Sequence, residues 1–187
     1  MNDASDNHGD QENTLSTYSV DIETLQQAAL AGDPQALFQL AINYEQGRGV
    51  AENHQEAFYC YHQAAELGHV TAQHNLGWAY SNGIGVPQDN DKAFYWYQKA
   101  ARQGHPTAQF DLGFCYINGL GVEKDEHQAI SWYTKAAEQG HAVAQLNLGW
   151  IYANSSTQQN WEQALYWYRQ AAEQGDPRGM FCMGVFC

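Results

Sequence analysis

One pattern restricts the fold of this chain more than any other: the segments 33–68, 69–104, 105–140 and 141–175 are variations on one another. The first three are 36 residues long and the fourth is 35. A fifth copy starts at Asp176 and runs for twelve residues, and residues 21–32 match the end of a preceding copy. A period in this range marks a solenoid, a propeller or another array, in which each copy buries its apolar face only against its neighbours.

The columns of the repeat say which kind. Position 1 holds Asp33, His69, His105, His141 and Asp176, followed by Pro at Pro34, Pro106 and Pro177. An N-capping Asp before Pro is a helix start. Positions 4, 8 and 12 carry Ala, Leu and Tyr: Ala36, Leu40, Tyr44; Ala72, Leu76, Tyr80; Ala108, Leu112, Tyr116; Ala144, Leu148, Tyr152. An i, i+4, i+8 stripe is the buried face of a helix, here helix A. Gly77, Gly113 and Gly149 follow the Leu, and a helical Gly that recurs despite its cost of about 1 kcal/mol points to close helix–helix approach. Helix A ends in Gly-x-Gly-Val turns at Gly47, Gly83 and Gly119.

A second helix, B, starts at the cap column Asn53, Asp89, Asp125 and Asn160. Three residues on, Glu56, Gln128 and Gln163 supply the other half of a capping box, which Lys92 breaks. Its stripe is Ala with Trp and Tyr, as in Ala129, Trp132, Tyr133, Ala136 and Ala137, and Trp132 is expected in the core. Gly68, Gly104, Gly140 and Gly175 close it as left-handed stops. Nothing alternates with period two, so strands are not expected. The fold class is all-α: an α/α solenoid of helix-turn-helix repeats over 21–187, expected to wind as a right-handed superhelix. Residues 1–20, with four acids and no base, read as a disordered acidic tail.

Composition removes whole classes of function. The formal net charge is −13, from 8 Lys and Arg against 21 Asp and Glu. Such a chain gains nothing from counterion release at a phosphate backbone and is repelled by an anionic bilayer, so neither nucleic acid nor membrane is an expected partner. The cysteines Cys60, Cys115, Cys182 and Cys187 fit no zinc spacing and no disulfide framework. No secretory leader is legible, so a reducing cytoplasm is the expected compartment.

The string A-x-x-x-L-G-x-x-Y-x-x-G-x-G-V followed by A-x-x-W-Y-x-K-A-A-E-Q-G resembles the Sel1-like repeat family. It stands almost unbroken in Ala108–Val122 with Ala129–Gly140, and in Ala72–Val86 with Ala93–Gly104. That family is related to tetratricopeptide repeats, and the resemblance implies a solenoid scaffold or adaptor, often bacterial, that binds protein partners. Ala41 stands in place of the first helical Gly, Cys60 in place of the helix B Trp, and Ser155-Ser156-Thr157 in place of the fourth Gly-x-Gly turn. The cysteine pair within each repeat that some secreted relatives carry is missing.

Candidate chemistry is sparse. The Gly-x-Gly turns follow a helix and lack a dinucleotide fingerprint. Asp89/Asp91 and Asp125/Glu126 each place one acid in a cap column, so capping is favoured over acid–base work. His69, His105 and His141 recur about one repeat apart, too far to share one metal ion, and read as solvated helix starts. Cys60 and Cys115 read as buried structural thiols. No cofactor, metal or catalytic set is expected, and the chain is read as non-enzymatic, with a hydrolase of the cysteine-rich Sel1-like type the least favoured alternative.

Positions 6 and 10 of helix A are different. They are Phe38 and Ile42, His74 and Trp78, Phe110 and Phe114, and Leu146 and Trp150, one turn apart and angled away from the buried stripe. By resemblance to tetratricopeptide repeats this face lines the concave surface, and these eight residues are the expected partner-binding set. Asn82, Asn118 and Asn154 lie near the end of helix A, as caps or as hydrogen-bonding groups for a partner, the cap being preferred. The acidic body points to a basic peptide or protein partner. An inhibitor or immunity-type protein covering a basic toxin or enzyme is the second reading. The apolar segment 180–187 is expected to stack on a second copy or another protein, unless the chain is a shortened form of a longer array.

Overall fold

The computed structural model describes residues 22–154 and 160–185, with side chains as far as Cys182. The expected tail at 1–20, the turn at Ser155-Ser156-Thr157 and the last two residues of the 180–187 end therefore lie outside the described residues. Helix α1 covers 22–30. It is followed by α2 Pro34–Gln46, α3 His54–Glu66, α4 Val70–Asn82, α5 Asn90–Arg102, α6 Pro106–Asn118, α7 Glu126–Glu138, α8 Ala142–Asn154, α9 Trp161–Glu173 and α10 Pro177–Val185. Among the described residues there is no strand, so the all-α expectation holds.

The chain divides into two compact units, one ending at Gln88 and the other starting at Asp89. In the first, α2 and α3 form a hairpin and α4 packs on α3. In the second, α5 packs on α6, α6 pairs with α7, α8 with α9, and α10 lies on α9. The expected stripes form the cores. Leu40, Ala57, Tyr61, Ala64 and Leu76 are buried in the first unit, and Leu112, Ala129, Tyr133, Leu148 and Trp167 in the second. Trp132 departs from expectation. It is half-buried, and the Lys135 ammonium sits 4.0 Å from its ring centroid, so this ring is shared between core and surface.

The caps hold as read, with one change. Asn53, Asp89, Asp125 and Asn160 accept backbone N–H groups of the first turn of their helices. The Lys92 N–H, reinforced by its ammonium, holds the Asp89 carboxyl below the ordinary carboxylate range. The reciprocal half of the capping box is replaced. The Asn53 N–H donates to the Tyr44 carbonyl at 2.8 Å, Asp125 to Tyr116 at 3.0 Å and Asn160 to Tyr152 at 2.8 Å. The cap thus ties helix B to the last turn of helix A, which Glu56 or Gln128 would not do.

Glycine marks two close approaches. A Cβ on Gly113 would lie 2.7 Å from the Tyr133 ring and one on Gly149 2.5 Å from Tyr168, so the helical Gly seats the helix B tyrosine of its own repeat. The second Gly of the turn does something else. Gly85, at φ +70°, lies so close to α3 that an added Cβ would stand 2.1 Å from the His54 carbonyl oxygen. A Cβ added to Gly121, at φ +67°, would stand at the same distance from the Asn90 carbonyl oxygen. The turn of one repeat is laid against the first residue of helix B in the repeat before it. Ring pairs add to that joint: Phe58 meets Tyr80 edge-on at 5.2 Å and Phe94 meets Tyr116 at 5.4 Å.

A buried polar column runs beside the alanines and was not legible from hydropathy. Gln73, Gln109 and Gln145 are buried, and each Nε2 donates to the carbonyl of Ala65, Ala101 or Ala137 near the end of the preceding helix B. Gln139 donates to Gln109 Oε1 at 2.7 Å and Gln174 to Gln145 Oε1 at 2.8 Å. The first repeat has Leu37 and Leu67 in these two columns, so the pair is replaced as a pair.

Candidate protein-interaction surface

The two expected columns separate. Position 6 is largely consumed by packing. In the first unit Phe38 is half-buried and stacks on the His69 imidazole, with centroids 4.3 Å apart and planes 19° from parallel. In the second unit Phe110 stacks on His141 at 4.8 Å and 17° and touches the core around Tyr133. Leu146 is only 8% exposed, so a partner cannot reach it across the surface. His74 is half-buried with its Nδ1 3.3 Å from Asn75 Oδ1, and Ile42 at position 10 of the first repeat is half-buried too.

Position 10 is the exposed column. Trp78 in the first unit is 43% exposed, and Phe114 and Trp150 in the second are 46% and 63% exposed. Asn82, Asn118 and Asn154 each donate Nδ2 to the carbonyl four residues back, on Trp78, Phe114 and Trp150 respectively, which binds the amide to its own helix end. The preferred capping role is thus the observed one, and it also stiffens the turn that carries each exposed ring.

The position 1 histidines are not simply solvated. His69, His105 and His141 accept the N–H of Ala72, Ala108 and Ala144 on Nδ1, at 3.1–3.2 Å. A ring that accepts on Nδ1 is neutral and carries its proton on Nε2. In His69 that Nε2 faces Gln35 Oε1 at 3.1 Å. Burial pushes the pKa of both His69 and His141 down. The expectation of solvated helix starts is therefore corrected: these are capping imidazoles, and His69 and His141 also stack at the joint between repeats.

Beside Trp78 the first unit has a cleft of about 270 Å³ between α2, α3 and α4. Phe58, Tyr61, His74, Asn75 and Trp78 wall it, and Glu45 supplies its carboxylate. The Tyr61 hydroxyl donates to Glu45 Oε2 at 2.7 Å. Burial, together with that carboxylate, drives the Tyr61 hydroxyl well above the usual phenol range. Sequence reading missed Glu45 because no other repeat has an acid at that position: the column continues Ser81, Ile117, Ala153.

Among the described residues no group of His, Cys, Asp or Glu is placed to hold a metal ion, and no buried side-chain polar atom lacks a hydrogen-bond partner. Cys60 and Cys115 are buried, and desolvation pushes their thiols up to about 11 and about 12.

Comparison with known proteins settles the family. The Sel1 repeat pattern matches residues 34–69, 70–105, 106–141 and 142–176, each one residue out of phase with the segments read above. The chain belongs to the Sel1 repeat family. Among solved structures, a protective antigen of uropathogenic Escherichia coli strains with this repeat fold is 34% identical, with a TM-score of 0.86 over 90% of the chain. The chain spans 37% of that protein's length. A Sel1 repeat protein of Oxalobacter formigenes is 30% identical, with a TM-score of 0.83, covering 94% of this chain and 70% of its own. An immunity protein of Pseudomonas aeruginosa is 26% identical, with a TM-score of 0.54 over 87% of this chain and 60% of its own. No curated protein matches the sequence. The Sel1 assignment makes the chain a helical-repeat protein of a fold commonly used for protein interaction.

Proposed function

We propose that this Sel1 repeat chain is a non-enzymatic scaffold or adaptor that binds a peptide or protein partner through its position 10 aromatic rings. One observation carries the reading: Trp78, Phe114 and Trp150 stand exposed on helix ends tied down by Asn82, Asn118 and Asn154, while Phe110 and Leu146 one turn earlier in the second unit are packed. Exposed aromatic rings on a rigid support are what interface anchors require. The net charge of −13 favours a basic partner, both by steering and by suppressing acidic competitors. The buried free thiols Cys60 and Cys115 suit a reducing cytoplasm.

A pull-down with the wild type beside a folded Trp78→Ala/Trp150→Ala variant tests the proposal. A partner retained by the wild type and lost by the variant, with binding that weakens steeply as salt rises, is the expected result. Equal retention by both proteins refutes it.

A second reading is that the chain covers a basic toxin or enzyme as an inhibitor. The similarity to an immunity protein and the acidic charge both favour it. It requires a dedicated partner, which neighbouring reading frames would encode, and inhibition of that partner's activity by the purified chain.

A further inference from the structure

The cleft beside Trp78 has a composition that specifies an occupant. At about 270 Å³ it falls below the roughly 300–1,000 Å³ of small-molecule sites and suits one side chain. Its walls are aromatic, from Phe58, Tyr61 and Trp78, and its one carboxylate is that of Glu45. Tyr61 engages one carboxylate oxygen and so orients the group, while the other oxygen stays available for a ligand. Among the described residues no Lys or Arg is paired with Glu45. Residues 22–88 contain one Lys or Arg, Arg48, against six carboxylates, so the field over this unit draws cations in.

A neutral occupant would strip water from Glu45 and return nothing. A guanidinium returns a charge-assisted hydrogen bond and stacks its flat face on an indole, which a compact ammonium does less well. We propose that this cleft is an anchor pocket for the arginine side chain of a partner protein, with Glu45 as the charge-recognising residue and Trp78 as the stacking wall. The inference rests on the interaction reading above and adds the chemistry of the residue recognised.

The test uses the full chain, Nα-acetyl-arginine N-methylamide, and its citrulline counterpart, which has nearly the same shape without the charge. The indole N–H resonance of Trp78 reports occupancy. The expected result is a saturable shift with the arginine probe, weakened at least about tenfold with citrulline or in Glu45→Gln. The amide oxygen introduced by Glu45→Gln still accepts from the Tyr61 hydroxyl, so an unchanged unfolding midpoint in that variant verifies the fold. Equal shifts from both probes, an undiminished shift in Glu45→Gln, or none up to about 50 mM probe, where a site of about 10 mM affinity would be mostly filled, overturns the inference. A captured partner that is lost by Trp78→Ala but kept by Glu45→Gln overturns the arginine anchor and leaves the interaction reading standing. Retention by Glu45→Gln and by the Trp78→Ala/Trp150→Ala variant alike refutes both.

Discussion

Replacing Gly85 by Ala separates two costs that usually come together, because the first unit supplies its own control. Gly68 also has positive φ, at +91°, yet an added Cβ there meets nothing within 4 Å. Gly68→Ala thus carries only the left-handed backbone cost, about 1–2 kcal/mol. Gly85→Ala carries the same cost at φ +70° and also drives a Cβ to 2.1 Å from the His54 carbonyl oxygen, where ordinary contact begins at 3.4 Å. A backbone carbonyl in the first turn of α3 cannot rotate aside, so the turn must lift by roughly 1 Å and the joint with α3 opens. Overpacking of that kind adds about 1–3 kcal/mol. Gly85→Ala should therefore lose about 2–5 kcal/mol, at least about 1 kcal/mol more than Gly68→Ala. Urea titrations followed by helix circular dichroism measure both, and each kcal/mol is worth about 2–4 °C in Tm at this chain length. Equal losses in the two variants would show that the close approach of turn to helix carries no energy, and the account of the repeat joint would fall.

Other outcomes follow from the same geometry. Gln145→Ala removes the donor to the Ala137 carbonyl and the acceptor for Gln174, and should cost roughly 1–3 kcal/mol in unfolding free energy; no loss would mean that water replaces the amide. His69 and His141 have folded-state pKa values below the unfolded value of about 6.5, so the unfolded chain takes up protons first. Their contribution is complete above that value and is lost as pH falls through the folded-state values. Between pH 7.5 and 5 the wild type should lose stability relative to His69→Asn/His141→Asn, whose caps do not titrate, and a constant difference would refute the neutral caps. Trp150→Ser, at an exposed ring, should move Tm by less than about 2 °C, within the usual surface effect of about 0.5 kcal/mol; a larger drop would place Trp150 in the packing. A thiol reagent at pH 8 should label neither Cys60 nor Cys115 until denaturant is added, and rapid labelling of either of these two in the folded protein, read by peptide mapping, would contradict their burial.

The repeat, its helices and their caps were legible because each depends on local chemistry: Asn53 and Asp125 cap wherever the chain turns into a helix, and Leu112 is buried wherever a stripe faces inward. What was missed depends on contacts across tens of residues. Gln109 reads as surface by hydropathy, and only a carbonyl eight residues earlier and an amide thirty residues later make it a core residue. Recurrence of Gln73, Gln109 and Gln145 beside the buried Ala column was the available signal. Phe110 and Phe114 look interchangeable in sequence, yet the imidazole of His141 claims the first and leaves the second at the surface. Glu45 carried no periodic signal, and its setting emerged only when Tyr61 was seen to donate to it.

The joint between repeats has a leading and a trailing half. In the copies 69–104 and 105–140 the leading half is a position 1 ring and the second glycine of the turn, as in His69 and Gly85. The trailing half is a position 6 ring and a helix-start carbonyl, as in Phe38 and His54. The segment 105–140 holds the residues of both halves, with His105 and Gly121 at the leading positions and Phe110 and the helix-start residue Glu126 at the trailing ones. A tandem duplication of that segment would bring matched fittings at both ends, so an array of this kind can grow by unequal crossing-over without any new surface having to evolve. The segment 33–68 cannot be copied inward so freely, since Asp33 has no ring to lay on the phenyl of a preceding copy. The molecule thus encodes which of its parts are stock for further growth and which are not.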